Sequence, residues 1–395
     1  MDFLSIRDGK IVDQKNQPIN LRGVNLGGWL MMEGYILGGR NIAESQFKKD
    51  IAGNSGRKSL LRFEETYRRN FITAADFMNI KNLHASVVRL PFHYHIVTTG
   101  KWSFLDEAIA WAKKNGIYVI LDLHAAPGAQ NGDWHSDSSG EAKLWKEKKY
   151  RDELYDIWRR LAERYKHEPT IAGYDVLNEA VGKNPRIIKE VYVRITNAIR
   201  ATGDRHIIFI EGNTWAQEFD FLGIPWDDNL AFSFHYYLPG DFTFNCVRNL
   251  RYPGKINGEL WNRNKMENIL RRYVKFQQKY RIPIYCGEFG INLRCPDCGT
   301  ELAWVKDVLE IFNKYGIHYT YWTYKAVAGG FFPDGIYQYL DNPPWINRWS
   351  QTTGVETYGQ LWHKNTKAMG ESWQTKNFMK SAALSRVLSA YFKKK

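Results

Sequence analysis

The feature that most constrains this chain is a series of short apolar runs separated by amphipathic segments. Eight such runs lie at about 20–25, 86–91, 117–123, 172–178, 206–211, 230–236, 282–287 and 317–322. Each resembles a parallel strand that is buried on both faces. Helical patterns lie mostly between them, at about 103–114, 144–166, 186–201, 261–279, 300–315 and 377–392. This alternation, without a linker-like segment, predicts an α/β fold, a single (β/α)8 TIM barrel domain over residues 1–395.

Additions to a minimal barrel are expected at the N-terminus and after the first and eighth strands. Near the N-terminus, Phe3-Leu-Ser-Ile and Asp8-Gly9-Lys10 combine alternation with a turn dipeptide, which predicts a β-hairpin that closes the barrel floor. The two connections, at about 26–73 and 323–375, are much longer than usual, and long loops on a rigid scaffold often bind ligands. The second is rich in aromatic residues, which suit the apolar faces of sugar rings. They include Phe331, Phe332, Tyr337, Tyr339, Trp345 and Trp349.

Composition argues against several classes of protein. No run approaches 18 apolar residues, and the start Met-Asp-Phe-Leu-Ser-Ile-Arg lacks the basic and apolar regions of a signal peptide. We therefore expect a monomeric protein without a membrane span, either cytoplasmic or secreted with its signal removed. The net charge of +13 arises from lysines and arginines spread along helical segments. Because no nucleic-acid motif accompanies them, we predict no nucleic-acid partner.

The cysteines do not indicate a disulfide framework, because there are only 4 in a chain of 395 residues. Cys295 and Cys298 form a lone CxxC motif, which could pair internally or hold a metal together with Cys246 and Cys286. A structural zinc site usually shows a second such pair or a histidine at fixed spacing. We therefore predict reduced thiols, with no metal and no other cofactor.

Polar residues follow the apolar runs where the strands are expected to end. They are Asn25, Arg89, His124, Asn178, Glu179, Glu211, His235, Tyr237, Glu288 and Trp322. The carboxyl ends of barrel strands meet at one face, where barrel enzymes carry out their chemistry. Alone, Glu179 or Glu288 could be a helix N-cap or a salt-bridge partner. Two such glutamates at strand ends, one after an asparagine and one near glycines, favour a catalytic pair.

A pair of carboxylates across a barrel mouth predicts glycoside hydrolysis. At a separation of about 5 Å no water fits between them, so one attacks the sugar carbon and configuration is retained. We expect Glu288 to be the nucleophile, because Arg89 and Tyr237 could stabilise its charge. Glu179 would be the acid/base, its pKa raised by the negative Glu288.

The other polar residues at the strand ends would support this pair. Asn178 could donate to a sugar 2-hydroxyl, a contact that strengthens in the transition state. His124 and His235 would position the substrate or the acid, and Trp322 would form the floor of the pocket.

A metal-dependent hydrolase is an alternative interpretation of the same barrel mouth. His93 and His95 form a His-x-His pair that could bind a metal together with His124 and His235. Two observations disfavour it. The pair follows the second strand instead of the first, and the eighth strand ends in Trp322 where an aspartate ligand would be needed.

Taken together, these motifs resemble the cellulase-like glycoside hydrolases of family 5, which are retaining (β/α)8 enzymes. The resemblance runs from about residue 18 to at least 325. The motifs are Val-Val-Arg89-Leu-Pro, Leu-Asp-Leu-His124, Asn178-Glu179, His235-Tyr-Tyr237, Gly-Glu288-Phe-Gly and Trp322. The resemblance implies the same roles as those argued above, and a cis peptide between Trp322 and Thr323.

Two further motifs are similar to the branch with exo-β-1,3-glucanases and β-glucosidases. They are Leu21-Arg-Gly-Val-Asn-Leu-Gly-Gly-Trp-Leu with Glu33, and Asp122-Leu-His-Ala-Ala-Pro-Gly-Ala-Gln-Asn131-Gly. That likeness implies that Glu33 and Asn131 hold hydroxyls of a terminal glucose. The sequence departs from the branch at Ala180, where it usually has proline, and at Phe289, where it usually has tryptophan. These departures affect linkage preference and leave the reaction class unchanged.

The sequence thus predicts a retaining β-glycosidase, with exo action on β-glucosides or a β-1,3-glucan. Its partner would be a β-linked gluco-oligosaccharide or glucan. The runner-up is an endo-acting β-1,4-glucanase, which needs an open groove instead of a closed pocket. A barrel that binds saccharides without cleaving them is disfavoured, because both glutamates are present. For Glu33, pairing with a nearby lysine or arginine is the alternative to substrate binding.

Overall fold

The eight apolar runs form the strands of a closed parallel barrel, as predicted. The computed structural model describes residues 1–293, 299–326, 331–338 and 358–394. The barrel strands are β1 (Arg22–Asn25), β2 (Val87–His93), β3 (Tyr118–Ala125), β4 (Ile171–Asp175), β5 (Ile207–Glu211), β6 (Leu230–Tyr236), β7 (Ile284–Phe289) and β8 (His318–Tyr321). They follow chain order around the barrel, and β8 closes it by pairing with β1. The carboxyl ends of all eight strands therefore meet at one face.

Amphipathic helices cover the outside of this barrel. The longer ones are α1 (Glu44–Phe71), α2 (Ala74–Asn82), α3 (Ser103–Asn115), α4 (Lys148–Tyr165), α5 (Pro185–Arg200), α6 (Arg263–Tyr280), α7 (Gly299–Tyr315), α8 (Tyr358–Ser372) and α9 (Ala382–Phe392). Their apolar faces and the outward strand residues form one continuous core. Among the described residues, no helix is both long and apolar enough to cross a bilayer.

An N-terminal hairpin closes the floor of the barrel, as the turn dipeptide predicts. Its strands Ser5–Arg7 and Lys10–Val12 pair in antiparallel fashion around Asp8 and Gly9, both of which have positive φ. Leu4 and Ile11 pack into a separate core cluster with side chains from inside the barrel. The hairpin is anchored where Ile6 N–H donates to Asn229 Oδ1 at 2.8 Å. The barrel is thus filled below, and only the opposite end is open to substrate.

The two long connections contain helices that the sequence did not indicate. After β1, α1 spans Glu44–Phe71, although Gly56 has φ +81 inside it. This helix is mostly polar and holds two glycines, Gly53 and Gly56, so its apolar periodicity is weak. After β8, α8 packs on α1. Ring contacts join the two connections, with Phe63 5.3 Å from Trp362 and 5.6 Å from Trp373.

Some predicted features differ at their edges or lie outside the described residues. The last helix begins at Ala382 instead of about residue 377. Strand β4 ends at Asp175, three residues earlier than expected, so the Asn178-Glu179 motif lies in the following loop. Cys286 is buried in β7. Cys295, Cys298, Tyr339, Trp345 and Trp349 lie outside the described residues.

Candidate active site

A single buried guanidinium organises the carboxyl ends of the strands. Arg89 on β2 is 0% exposed. Its acceptors are Glu288 Oε1 at 2.7 Å, Asp175 Oδ2 at 2.8 Å, Asn178 Oδ1 at 2.8 Å, Glu211 Oε1 at 3.1 Å, Asn25 Oδ1 at 3.2 Å and, within ion-pair distance, Asp122 Oδ2 at 3.1 Å. One positive charge cannot balance four buried carboxylates. Accordingly, burial raises the pKa of Asp122 to about 7 and that of Asp175 well above its usual range.

Glu288 is presented by an irregularity in β7. The register of β7 shifts between Cys286 and Glu288, and such bulges re-aim a side chain. Gly287 is needed here, because a Cβ would lie 2.9 Å from His235 Nε2. Each Glu288 oxygen has its own donor. Arg89 Nη1 donates to Oε1 at 2.7 Å and Tyr237 Oη donates to Oε2 at 2.8 Å. This arrangement fixes the carboxylate and stabilises its negative charge.

Glu179 stands across the mouth in a constrained backbone. Its φ is +47, an unfavourable value for a residue with a side chain, and its N–H donates to Glu211 Oε2 at 2.5 Å. Both carboxylate oxygens contact imidazoles. Oε1 is 2.7 Å from His235 Nδ1 and Oε2 is 3.0 Å from His135 Nε2. Either oxygen must exchange an imidazole for the glycosidic oxygen when it donates a proton.

The two histidines reverse the pKa shift that the sequence argument predicts for Glu179. Burial raises the pKa of this carboxyl, but hydrogen bonds from His135 and His235 outweigh burial and hold the pKa well below its usual range. The expectation of a raised pKa was wrong because it considered the charge of Glu288 and not the imidazoles. Conversely, burial lowers the pKa of His135, but its bond to Glu179 prevails and raises it to about 9. These directions favour an ionised Glu179 beside a protonated His135 in the free protein.

Glu33, His124 and Trp322 line one side of a cavity of about 470 Å³. His124 stacks on Trp322 at 5.5 Å between centroids and 7° between planes, and its Nδ1 lies 2.7 Å from Asp122. Burial lowers the pKa of His124 to about 3, so the ring is neutral. The Trp322–Thr323 peptide is cis, as the family resemblance implies.

Glu33 faces this cavity and forms no ion pair with a lysine or arginine among the described residues. It is buried, and its Oε1 has no hydrogen-bond partner among the described residues. His124 Nε2 is 3.8 Å from Oε1, too far for a hydrogen bond. Burial raises the pKa of Glu33, and Glu288 and Glu179 add to the effect although His135 opposes it. Pairing with a lysine or arginine, the alternative interpretation, is not found in the described part of the chain.

Asn131 is placed differently from the expectation that it contacts sugar. It is 0% exposed and does not line the cavity. Its Nδ2 donates to the Glu179 carbonyl at 3.0 Å and lies 3.1 Å from His135 Nε2, while Oδ1 accepts from Asp133 N–H at 2.9 Å. Asn131 thus acts through the loop, because it ties the Glu179 carbonyl to the backbone of Asp133, two residues before His135. Sequence reasoning missed His135, although its position four residues after Asn131 in the same motif was a usable signal.

Aromatic rings close the cavity beyond Glu33 and Trp322. Tyr35, from the connection after β1, lies 5.1 Å from Phe332 and 5.9 Å from Trp134, and Trp134 lies 6.0 Å from Phe332. Trp322 Nε1 donates to the Tyr35 hydroxyl. We call Tyr35, Trp134 and Phe332 the aromatic wall. Three different connections build it, so the long loops after β1 and β8 do reach the candidate site.

Of the four histidines in the metal hypothesis, His124 and His235 line the cavity, whereas His93 and His95 do not. His93 Nε2 is 3.0 Å from Asp137 Oδ2, its Nδ1 accepts from the backbone of His95, and neither ring lines the cavity. Among the described residues, one possible cation cluster consists of Glu179, His235 and Glu288, with one ligand atom of each within 4.8 Å of the others. Arg89 and the imidazoles already supply positive charge to these carboxylates.

Comparison with known proteins gives the same family as the motifs. A family model described as cellulase (glycosyl hydrolase family 5) matches residues 40–327, more than half of the chain. The chain belongs to glycosyl hydrolase family 5. It is therefore a glycoside hydrolase, and its relatives support action on β-glycosides.

The relatives differ in substrate. A beta-xylosidase of Phanerodontia chrysosporium is 31% identical over 83% of this chain and 72% of its own length. Endoglucanase C of Acetivibrio thermocellus is 26% identical over 77% of this chain and 91% of its own length. A probable glucan 1,3-beta-glucosidase A of Aspergillus clavatus is 29% identical over 56% of this chain and 57% of its own length. An endoglucanase structure from Thermotoga maritima covers 80% of this chain and 91% of its own, with a TM-score of 0.58 and 22% identity, which supports the fold alone.

Proposed function

We propose that this chain is a retaining, exo-acting β-glycosidase that hydrolyses β-glucosides or β-1,3-glucan ends by double displacement. One observation carries the proposal. One oxygen of Glu179, one oxygen of Glu288 and a ring nitrogen of His235 lie within 4.8 Å of one another. Retaining glycosidases place their two carboxyl groups at about 5 Å, whereas inverting enzymes need roughly 6.5–9.5 Å for a water. The short separation supports direct attack by one carboxylate.

The surroundings of each carboxylate suggest its role. Glu288, held by Arg89 and Tyr237, attacks the anomeric carbon while the glycosidic oxygen takes a proton from Glu179 and leaves. That proton reaches Glu179 from the neighbouring imidazoles, His135 or His235. In the second step Glu179 removes a proton from water, which attacks the anomeric carbon and releases Glu288.

Asn178 is 0% exposed and, like Asn131, does not line the cavity, but its amide nitrogen is unpaired among the described residues and is suited to the sugar 2-hydroxyl. Its Oδ1 accepts from Arg89 Nη2 at 2.8 Å, which orients the amide, and its buried Nδ2 has no partner among the described residues. A buried N–H without a partner is costly, and a substrate hydroxyl would satisfy it. Because this contact strengthens in the transition state, it would contribute to rate as well as to binding.

Exo action is supported by the closed end of the cavity. The aromatic wall stands beside Glu33 and Trp322, where its packed rings would oppose the passage of a longer glucan past the terminal sugar. Glu33 has a buried oxygen free to accept from hydroxyls of that sugar. Because its pKa is raised, Glu33 could also be protonated and donate a hydrogen bond. A sugar hydroxyl can both accept and donate such a bond.

The stereochemistry of hydrolysis tests the mechanism. Proton NMR of an aryl β-glucoside reaction should show the β-anomer as the first product. An activated 2-deoxy-2-fluoro-β-glucoside should label Glu288 covalently, and digestion with mass spectrometry should locate the label. The α-anomer as first product, or a label on another residue, would refute Glu288 as the nucleophile.

Two substitutions separate the roles of the carboxylates. Glu288→Gln should abolish turnover of every glycoside. Glu179→Ala should retain activity on a dinitrophenyl glycoside, whose leaving group needs no proton, and azide should increase it and yield a β-glycosyl azide. Glu190→Gln, on an exposed part of α5, is the matched control and should behave as wild type. Equal losses of Glu179→Ala on activated and unactivated glycosides would contradict the acid assignment.

Product analysis tests exo against endo action. The wild type should release monosaccharide from laminarin-type chains, and Glu33→Ala should reduce turnover of short β-glucosides by a factor of about 10 or more, the value of one lost hydrogen bond to a charged or polar group. An endo-β-1,4-glucanase is the second candidate, because endoglucanase C aligns over 91% of its length. Long oligomers from cellulose-type substrates would favour it.

A further inference from the structure

The half of the cavity opposite the aromatic wall is largely apolar. It is lined by Trp215, Leu238, Ile269 and Tyr273, with Gln217 and Arg272 as polar neighbours. These residues follow β5 and β6, whereas Glu33 follows β1, on the other side of the barrel. If the terminal sugar lies beside Glu33, as the proposed function requires, the leaving group must extend over this second half.

The backbone holds Trp215 at the rim of this half. Thr214, Trp215 and Ala216 all have positive φ, at +57, +53 and +61. Three consecutive residues of this kind are unfavourable for side chains with a Cβ, and such strain persists where surrounding bonds enforce it. Asn213 supplies those bonds, since its side chain accepts from Gly182 N–H at 2.9 Å and donates to Gly182 O at 3.1 Å.

The Trp215 ring itself is fixed without being buried. Its Nε1 donates to Asp133 Oδ2 at 2.7 Å across the mouth, yet the residue is 40% exposed. Leu238, nearby in the lining, is 38% exposed. Large apolar side chains kept at the surface by fixed geometry indicate a binding surface.

The Tyr273 hydroxyl and one nitrogen of Arg272 are already engaged within the protein. The Tyr273 hydroxyl donates to Gln217 O at 3.0 Å, and the Arg272 guanidinium donates to the same carbonyl and to the Tyr273 hydroxyl at 2.6 Å. Against Trp215, Leu238 and Ile269 a sugar would lose hydrogen bonds to water with little replacement, because the one side-chain donor among them, Trp215 Nε1, already donates to Asp133. An apolar group would lose none.

Two apolar side chains extend this surface out of the cavity. Ile269 on α6 also borders a surface groove with Leu260, which is 63% exposed, and the other residues that line the groove are Asn262, Lys265 and Asn268. Leu260 belongs to a small hairpin of Gly254–Ile256 and Glu259–Trp261. The strip of Trp215, Leu238, Ile269 and Leu260 therefore leads from the catalytic pair to the surface. We call it the apolar strip.

We propose that the preferred substrates are β-glycosides of long apolar alcohols, with the sugar beside Glu33 and the alkyl chain along the apolar strip. The inference rests on the proposed function, which fixes the direction of the substrate. No covalent step is added, since the alcohol leaves with the proton from Glu179. The strip would therefore act on kcat/KM through apolar burial.

The experiment compares kcat/KM for methyl, hexyl and octyl β-glucosides, laminaribiose and β-glucosyl fluoride, which has no aglycone. Each methylene that leaves water multiplies kcat/KM by up to about 4, so octyl should exceed methyl by at least about 10-fold. It should also exceed laminaribiose. Concentrations must stay below the micelle limit.

Substitutions then locate the effect. Ile269→Gln and the exposed Leu260→Gln should each lower the octyl-to-methyl ratio several-fold. Ile224→Gln is the matched control, because Ile224 is 75% exposed and lies outside the strip, and it should keep the wild-type ratio. Leu260→Gln lies on the surface, so it tests the strip even if Ile269→Gln does not fold.

The outcomes distinguish the two proposals. Turnover of glucosyl fluoride with an octyl-to-methyl ratio near one, or better turnover of laminaribiose than of octyl glucoside, would overturn the apolar strip and leave the glycosidase intact. The same ratio in wild type and in both strip variants would overturn it too. No turnover of any of these substrates would overturn the proposed function itself.

Discussion

The ion pair of His135 and Glu179 should stabilise the folded protein to an extent that depends on pH. We consider His135→Asn, which removes the imidazole and keeps a side chain of similar polarity. The pKa of His135 is about 9 in the folded protein, against an ordinary value of 6.5. A folded pKa above the unfolded one means that the native state binds the proton more tightly. The resulting stabilisation is complete below pH 6.5 and disappears as pH rises through 9.

The size of this effect follows from the two pKa values. At 1.36 kcal/mol per pH unit, the difference corresponds to at most about 3 kcal/mol. For 395 residues, at about 2.1 cal/mol/K each, the entropy of unfolding is near 0.8 kcal/mol/K. The wild type should melt at a higher temperature than His135→Asn. This difference in melting temperature should be larger at pH 6 than at pH 9.5, by up to about 4 °C.

Differential scanning calorimetry of both proteins at the two pH values measures this difference of differences. Effects of the substitution that do not involve the proton cancel between pH values. His84→Asn is the control, because His84 is exposed and has φ +63, which asparagine tolerates. A melting-temperature gap between wild type and His135→Asn that is equal at pH 6 and 9.5 would refute a protonated His135 held by Glu179.

Three further substitutions test other parts of the molecule. Arg89→Lys should lower kcat/KM about 10- to 100-fold, because a point charge cannot replace the bond to Glu288 and its neighbours, each worth about 1.5–3 kcal/mol; a smaller loss would make the guanidinium dispensable. Trp373→Ala should reduce the free energy of unfolding by about 3–5 kcal/mol, since the ring packs on Phe63, and urea titration measures it; a change under 1 kcal/mol would contradict that packing. Burial lowers the pKa of Lys325 to about 7, from an ordinary value of 10.5. Between these two values the unfolded state binds more protons than the folded state, so the stability of the wild type should rise between pH 7 and 10 relative to that of Lys325→Met. Parallel pH curves of the two proteins would contradict this.

The barrel and the position of the candidate catalytic pair at its mouth were predictable because their signals are local. An apolar run that ends in a polar residue specifies both a strand and the position of a side chain at its end, as for Glu288 near the end of β7. The topology then brings distant strand ends together without any pairwise information. The N-terminal hairpin was predictable for the same reason, since Asp8-Gly9 is a turn signal in itself.

The remainder depends on contacts between segments. The pKa of Glu179 depends on His135, which lies in a loop that Asn131 stabilises. No periodic pattern in the sequence predicts the path of such a loop. Helix α1 escaped prediction because packing against α8 stabilises it despite Gly56, and propensity is weaker than tertiary packing. Trp215 is exposed to the cavity only because its turn is left-handed, which the sequence around it does not suggest.

The position of the two long connections has a consequence for synthesis on the ribosome. They flank the same seam, because β8 pairs with β1 and α8 packs on α1. Until β8 emerges, β1 has an unpaired edge and Phe63 lacks its tryptophan partners. The glycone end of the pocket joins Tyr35 from the earliest part of the chain to Trp322 and Phe332 from a late part. A nascent chain can thus hold both candidate catalytic glutamates before it holds the finished cavity around them.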